Sequence, residues 1–116
     1  MTALEMANAL DFEVLVEGEG AEREIQGIYC CDLLSIVMGR AQADDVWITV
    51  MGNINAVAVA VLADVSCILL SENMQFDPES LERAKQQGVC VLKTSLPTFQ
   101  AAVKIAQKLD LLTETH

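Results

Sequence analysis

The sequence predicts an α/β fold: a single compact domain with a mostly parallel sheet flanked by helices. Three observations predict it. The first is alternation, because three apolar runs, Val46 to Met51, Cys67 to Leu70 and Val89 to Leu92, are each followed by a helix-start signal and a helical pattern. The second is side-chain type. The chain is 53% hydrophobic but only 4% aromatic, so its core must be built from Val, Leu, Ile and Ala, which suit strands buried on both faces. The third is length: 116 residues make one domain, and such a chain buries roughly two-thirds of its unfolded surface, enough for a core without staples.

The elements follow in order. Thr2 to Leu10 reads as a short amphipathic helix, with Thr2 as N-cap and Glu5 as its capping-box partner. Phe12 to Val16 is a short strand, GEGAE (18–22) an acidic Gly-rich loop, and Glu24 to Cys30 a second strand. Asp32 then starts a short helix closed by Gly39 as a C-terminal signal. Asn53 caps the helix after the third strand. Asp77-Pro78-Glu79 starts the next, with Pro at the first helical position. Ser95 caps the last helix, which runs to about Leu111, so the domain occupies 1–112 and 113–116 form a frayed tail. Repeated strand–helix units with short connections imply right-handed crossovers.

One segment reads two ways. Ala56 to Val61 alternates Ala and Val, as a strand would. A helix is the better reading, because Ile54, Val57, Ala58, Val61 and Val65 fall on one helical face, while Ala56, Val59, Ala60 and Ala63 line the other. A helix apolar all round must be covered on both sides. The sheet covers one side, and in so small a domain the other calls for another helix or a second copy of the protein. A homodimer is therefore expected, with Ile54, Val57, Val59, Ala60 and Ala63 as interface candidates.

Charge and cysteine content narrow the partners. Seventeen acidic against seven basic residues leave a net charge of −10, and the cations are scattered, which argues against nucleic acid and against an anionic membrane surface. The start, MTALEMANALDF, has neither the basic nor the apolar region of a signal peptide. The most apolar stretch, 54–71, contains Asp64 and lacks basic flanks, so it reads as a buried helix and strand rather than a membrane span. Cys30, Cys31, Cys67 and Cys90 match no CxxC-type motif and read as four buried free thiols in a reducing cytoplasm.

Catalytic machinery is missing from the pattern. A triad needs a histidine to move protons, and the single His is His116, the last residue. There is no GxxxxGK[ST] and no GxGxxG, and GEGAE puts carboxylates where phosphate would sit. Asp44 and Asp45 diverge and begin a strand, and Glu79, Glu82 and Lys85 form a solvated helix face. No cofactor and no metal is implied. What remains is geometry: ligands of open parallel sheets bind beyond the carboxyl ends of the strands. That edge would gather Gly52, Asn53, Asn55, Ser71, Glu72, Thr94 and Ser95 as a candidate ligand site.

The run from Arg23 to Gly39, R-E-I-Q-G-I-Y-C-C-D-L-L-S-I-V-M-G, followed by D-D-V-W-I-T at 44–49, resembles the stand-alone proteins of the DRTGG-domain family. The resemblance covers almost the whole chain. It implies a fold like the N-terminal domain of HPr kinase/phosphorylase and a non-catalytic, dimerising regulatory role. It also points, through the redox genes that neighbour relatives, to a redox or metabolic enzyme complex as partner. The kinase activity does not come with it, because phosphoryl transfer needs a phosphate cradle and metal-holding carboxylates, which in that enzyme lie in a separate domain. The naming signature would fall at Gly52-Asn53-Ile54-Asn55-Ala56, where the glycine is present and the Asp-Arg pair is not. Two functions are thus expected: a regulatory module acting through homodimerisation and a protein partner, or a sensor of an adenine nucleotide or other phosphorylated metabolite at the sheet edge.

Overall fold

A computed structural model describes residues 1–111; the expected frayed tail, with His116, lies outside the described residues. Five strands form one sheet in the order β1-β5-β4-β3-β2. These are β1 (Glu13–Val16), β2 (Gly27–Cys30), β3 (Asp45–Thr49), β4 (Cys67–Leu70) and β5 (Cys90–Lys93). β2 to β5 run parallel, and β1 joins the outer edge of β5 antiparallel, with a bulge between Val14 and Val16. The helices are α1 (Ala3–Leu10), α2 (Leu34–Arg40), α3 (Ile54–Ala63), α4 (Pro78–Gln87) and α5 (Thr98–Lys108).

The layers follow from strand order. Successive parallel strands are neighbours, so right-handed crossovers place α2, α3 and α4 side by side on one face. That face holds Trp47, Ile68, Leu70 and Val91 against Val37, Val57, Val59 and Ala84. The connection after β5 crosses to the other face, where α1 and α5 cover Val46, Ile48, Leu69 and Leu92. Every residue of β3 and β4 is buried, and each fully buried Val, Leu or Ile contributes about 1.5–3 kcal/mol. Trp47, fully buried, satisfies its only donor by hydrogen bonding from Nε1 to the Cys31 carbonyl at 2.9 Å.

Local chemistry explains the element ends. Thr2 and Glu5 form the expected capping box on α1, Asn53 Oδ1 accepts from the Ala56 N–H, and Asp77 Oδ1 accepts from Ser80 ahead of Pro78. The second strand starts at Gly27 rather than Glu24, and the boundaries of α2 and α5 differ from expectation. Asp32 does not cap α2; its Oδ1 instead accepts from the Thr49 hydroxyl at 2.8 Å and the Val50 N–H at 3.0 Å, and the helix starts at Leu34. Gly39 lies within α2, which ends at an extended Ala41 rather than a left-handed residue. Ser95 does not cap α5: the chain needs Ser95 to Pro97 to reach the far face, Pro97 occupies the cap position, and the helix ends at Lys108.

The α3 segment is a helix, but its outward face differs from the one expected. Val57, Val59 and Ala60 are buried within the subunit, and Ile54 and Ala63 are half-buried. The flanking helices α2 and α4 supply that cover within the subunit. The residues of α3 that reach solvent are Asn55, Ala58, Val61 and Leu62. The four thiols also divide: Cys67 and Cys90 are buried neighbours across β4 and β5, whereas Cys30 is exposed and Cys31 half-buried. The hydrogen bond its S–H makes to the neighbouring Cys67 sulfur, together with burial, pushes the Cys90 thiol up and keeps it protonated.

Arg23 ties the amino-terminal edge of the sheet together. Its guanidinium bonds Asp44 Oδ1, Asp64 Oδ1 and the carbonyls of Asp64 and Val65, and both aspartates adopt left-handed backbone conformations. Beside it Asp45 is 7% exposed and accepts the Gln42 N–H, and burial raises its pKa above the ordinary 3.8.

Two outcomes follow. Trp47→Phe loses ring volume and strands the Cys31 carbonyl, and should cost roughly 2–4 kcal/mol in urea unfolding. Asp45→Asn should change the pH dependence of stability. A carboxyl with a raised folded pKa favours folding most below 3.8, and that contribution is lost as pH rises through the folded value. The variant should therefore gain on the wild type across that window and hold its advantage above it, as read from urea midpoints against pH.

Candidate functional site

The carboxyl ends of β2 to β5 lie along one edge of the sheet, as parallel strands require. The connection after β4 leads to α4 on one face, and the connection after β5 leads to α5 on the other. Adjacent strands whose connections part in this way define the switch point at which parallel sheets open a crevice. Here the crevice is closed by the chain itself. The Glu72 N–H donates to the Leu96 carbonyl at 2.9 Å, and the Asn73 N–H donates to the Thr94 carbonyl at 3.0 Å. The Ser71 and Thr98 hydroxyls share a 2.6 Å hydrogen bond. Glu72 and Asn73 both have left-handed backbone angles, φ 57° and 58°, a conformation that costs a non-glycine residue about 1–2 kcal/mol and that these bonds hold in place.

The candidate ligand residues fall into three groups. Ser71, Glu72 and Thr94 meet at the sealed switch point. Gly52 and Asn53 belong to the next connection, where Gly52 presses on the Gln75 backbone: a Cβ there would stand 2.1 Å from the Gln75 carbonyl oxygen. Its role is close approach of two loops. Asn55 and Ser95 are exposed, and neither side chain makes a hydrogen bond among the described residues. Sequence reasoning missed Asp32, Thr49 and Thr98. The signal for the first two was register: β2 pairs with β3 so that Cys30 faces Ile48, which places Asp32 beside Val50. Thr49 is fully buried and also accepts the Met51 N–H, so this polar cluster fixes the start of the β3–α3 connection.

The edge is poor ground for phosphate, since Asp32 and Glu72 bring carboxylates to it. Two open clefts lie elsewhere. A groove of about 220 Å³ between α3 and α4 is lined by Val57, Ala58, Val61, Leu62, Arg83 and Gln87. A polar cleft of about 200 Å³ at the amino-terminal edge includes Glu19, Arg23, Asp64 and Ser66. Both fall below the roughly 300–1,000 Å³ of pockets that enclose drug-sized ligands, and in the second Arg23 is already paired.

The fold and this edge define a three-layer α/β domain with a single-sided run of crossovers and a self-sealed switch point. The chain belongs to the DRTGG domain family, whose model matches residues 5–108. Among solved structures it is similar to the CBS and DRTGG domains of the regulatory region of Clostridium perfringens pyrophosphatase, complexed with the activator diadenosine tetraphosphate. That match has a TM-score of 0.69 at 17% identity and covers 91% of this chain but 46% of that one. This chain thus spans less than half of the pyrophosphatase region. No curated protein matches. Among the described residues no helix is long and apolar enough to cross a membrane.

Gly52→Ala should cost about 2 kcal/mol through overpacking against Gln75 and Phe76. The check is a lower urea midpoint with an unchanged slope.

Proposed function

We propose that this domain is a non-catalytic regulatory module that works by self-association and by docking on a protein partner, such as a redox or metabolic enzyme complex. The observation that supports this most is the division of its surface. Polar groups at the sheet's ligand edge are already engaged with one another, while aliphatic side chains reach solvent on α2 and α3. Exposed apolar patches on small soluble domains mark contact surfaces. The residue inventory is in keeping with this reading, since the 116 residues contain one histidine, His116, the residue type a triad uses to move protons.

A second reading keeps the sheet edge as a sensor of an adenine nucleotide or other phosphorylated metabolite. It is favoured by the activator bound to the pyrophosphatase regulatory region and by the exposed Asn55 in the first turn of α3, beside Asn53. It requires the Glu72–Leu96 and Asn73–Thr94 bonds to open.

Sedimentation equilibrium at tens of micromolar separates the two readings when joined to thermal-shift measurements with diadenosine tetraphosphate, ATP and AMP. The first reading expects a dimer and no shift; a monomer at all concentrations overturns it. The second expects a saturable shift, worth ~2.7 kcal/mol at a hundred times the dissociation constant, that weakens in Asn53→Ala.

A further inference from the structure

We infer that the self-association surface is α2, and that its occupant is the α2 of a second copy packed antiparallel about a two-fold axis near Ile36. This rests on the self-association reading above and moves the contact from α3 to the outermost helix of the same layer. β2 is an edge strand, and α2, which follows it, packs on α3 within the helix layer. Only Val37 of α2 is fully buried. Leu33, the cap residue just before the helix, is 59% exposed and Ile36 37%, and Ile36 and Arg40 stand at i and i+4, on one stripe of the helix. Asp32 stands immediately before Leu33.

Charge selects the occupant. Residues 27–43 contain two charged side chains, Asp32 and Arg40, in a chain whose net charge is −10. This is a stretch where an equally acidic copy meets no excess of like charge. Taken with the two residues before the helix, the segment is also complementary to itself: acid at Asp32, apolar residues at Leu33 and Ile36, base at Arg40. A two-fold contact is isologous, so each patch meets its own image reversed. Antiparallel pairing therefore brings Asp32 of one copy to Arg40 of the other, at both ends, and sets Ile36, midway between them, against its own image. Both groups are free to take part. The internal bonds of Asp32 fall on Oδ1 alone, and the Arg40 guanidinium has no hydrogen bond or ion pair among the described residues; the Arg40 carbonyl accepts from Gln42 Nε2. One competing surface, the α3 patch around Leu62 (70% exposed), opens beside Arg83 and Gln87 and lacks this mirrored arrangement.

The test is sedimentation equilibrium on the full chain with Ile36→Asp, Arg40→Glu and Leu62→Asp, each checked for fold by circular dichroism. It is joined to oxidative cross-linking of Ile36→Cys and Leu62→Cys in a Cys30→Ser/Cys31→Ser background. The expected result is a wild-type dimer whose dissociation constant rises at least tenfold in Ile36→Asp and in Arg40→Glu. It should stay within threefold in Leu62→Asp, and a covalent dimer should form through Ile36→Cys alone. Should Ile36→Asp unfold, Arg40→Glu and the cross-link decide. A dimer broken by Leu62→Asp and untouched by Arg40→Glu overturns the α2 surface and leaves self-association standing. A monomeric wild type removes both.

Discussion

The structure depends on one topological constraint: four parallel strands laid down in spatial order, each joined to the next by a right-handed crossover. Such a run puts all of its crossover helices on one face, and the opposite face must be closed by whatever chain is left. α5 crosses over to do this, joined by α1 from the other end of the sequence. With both faces covered, β3 and β4 become continuous buried runs. The sparse aromatic content follows, because small aliphatic side chains fill two thin layers without voids.

The same constraint decides what the sheet edge can do. Among the described residues, neighbouring connections diverge between β4 and β5, and there the two loops clasp each other through backbone hydrogen bonds and the Ser71–Thr98 hydroxyl pair. Closing the crevice requires two consecutive left-handed residues, Glu72 and Asn73. Gly52 then lets the neighbouring connection press onto Gln75, so three loops form one packed ridge. A ridge of this kind encloses little volume.

Electrostatics are arranged in the same spirit. Arg23 is spent on Asp44, Asp64 and two carbonyls at the amino-terminal edge, where it locks the ends of β3 and α3. The net charge of −10 is carried by the sequence outside residues 27–43. Surfaces without that excess charge are correspondingly informative, and the stretch from β2 through α2 is one of them.

Several features were legible in the sequence because they depend on neighbours a few residues away. The Thr2–Glu5 capping box, the Asn53 and Asp77 caps with Pro78, and the strand Cys67 to Leu70 are of this kind. So was the helical character of 54–63, since an apolar run opened by an Asn cap propagates locally. The sequence by itself determined the α/β class, the parallel half and the strand ends that share an edge. Only the tertiary structure decided which face of α3 stays wet, because that depends on α2 and α4 lying on its flanks. It also decided that Asp32 serves Thr49 and Val50 instead of capping a helix, and that Ser95 lies in a crossing segment rather than at a helix start. In each case the competing partner comes from a distant part of the chain, and packing brings it closer than any local bond the sequence could offer.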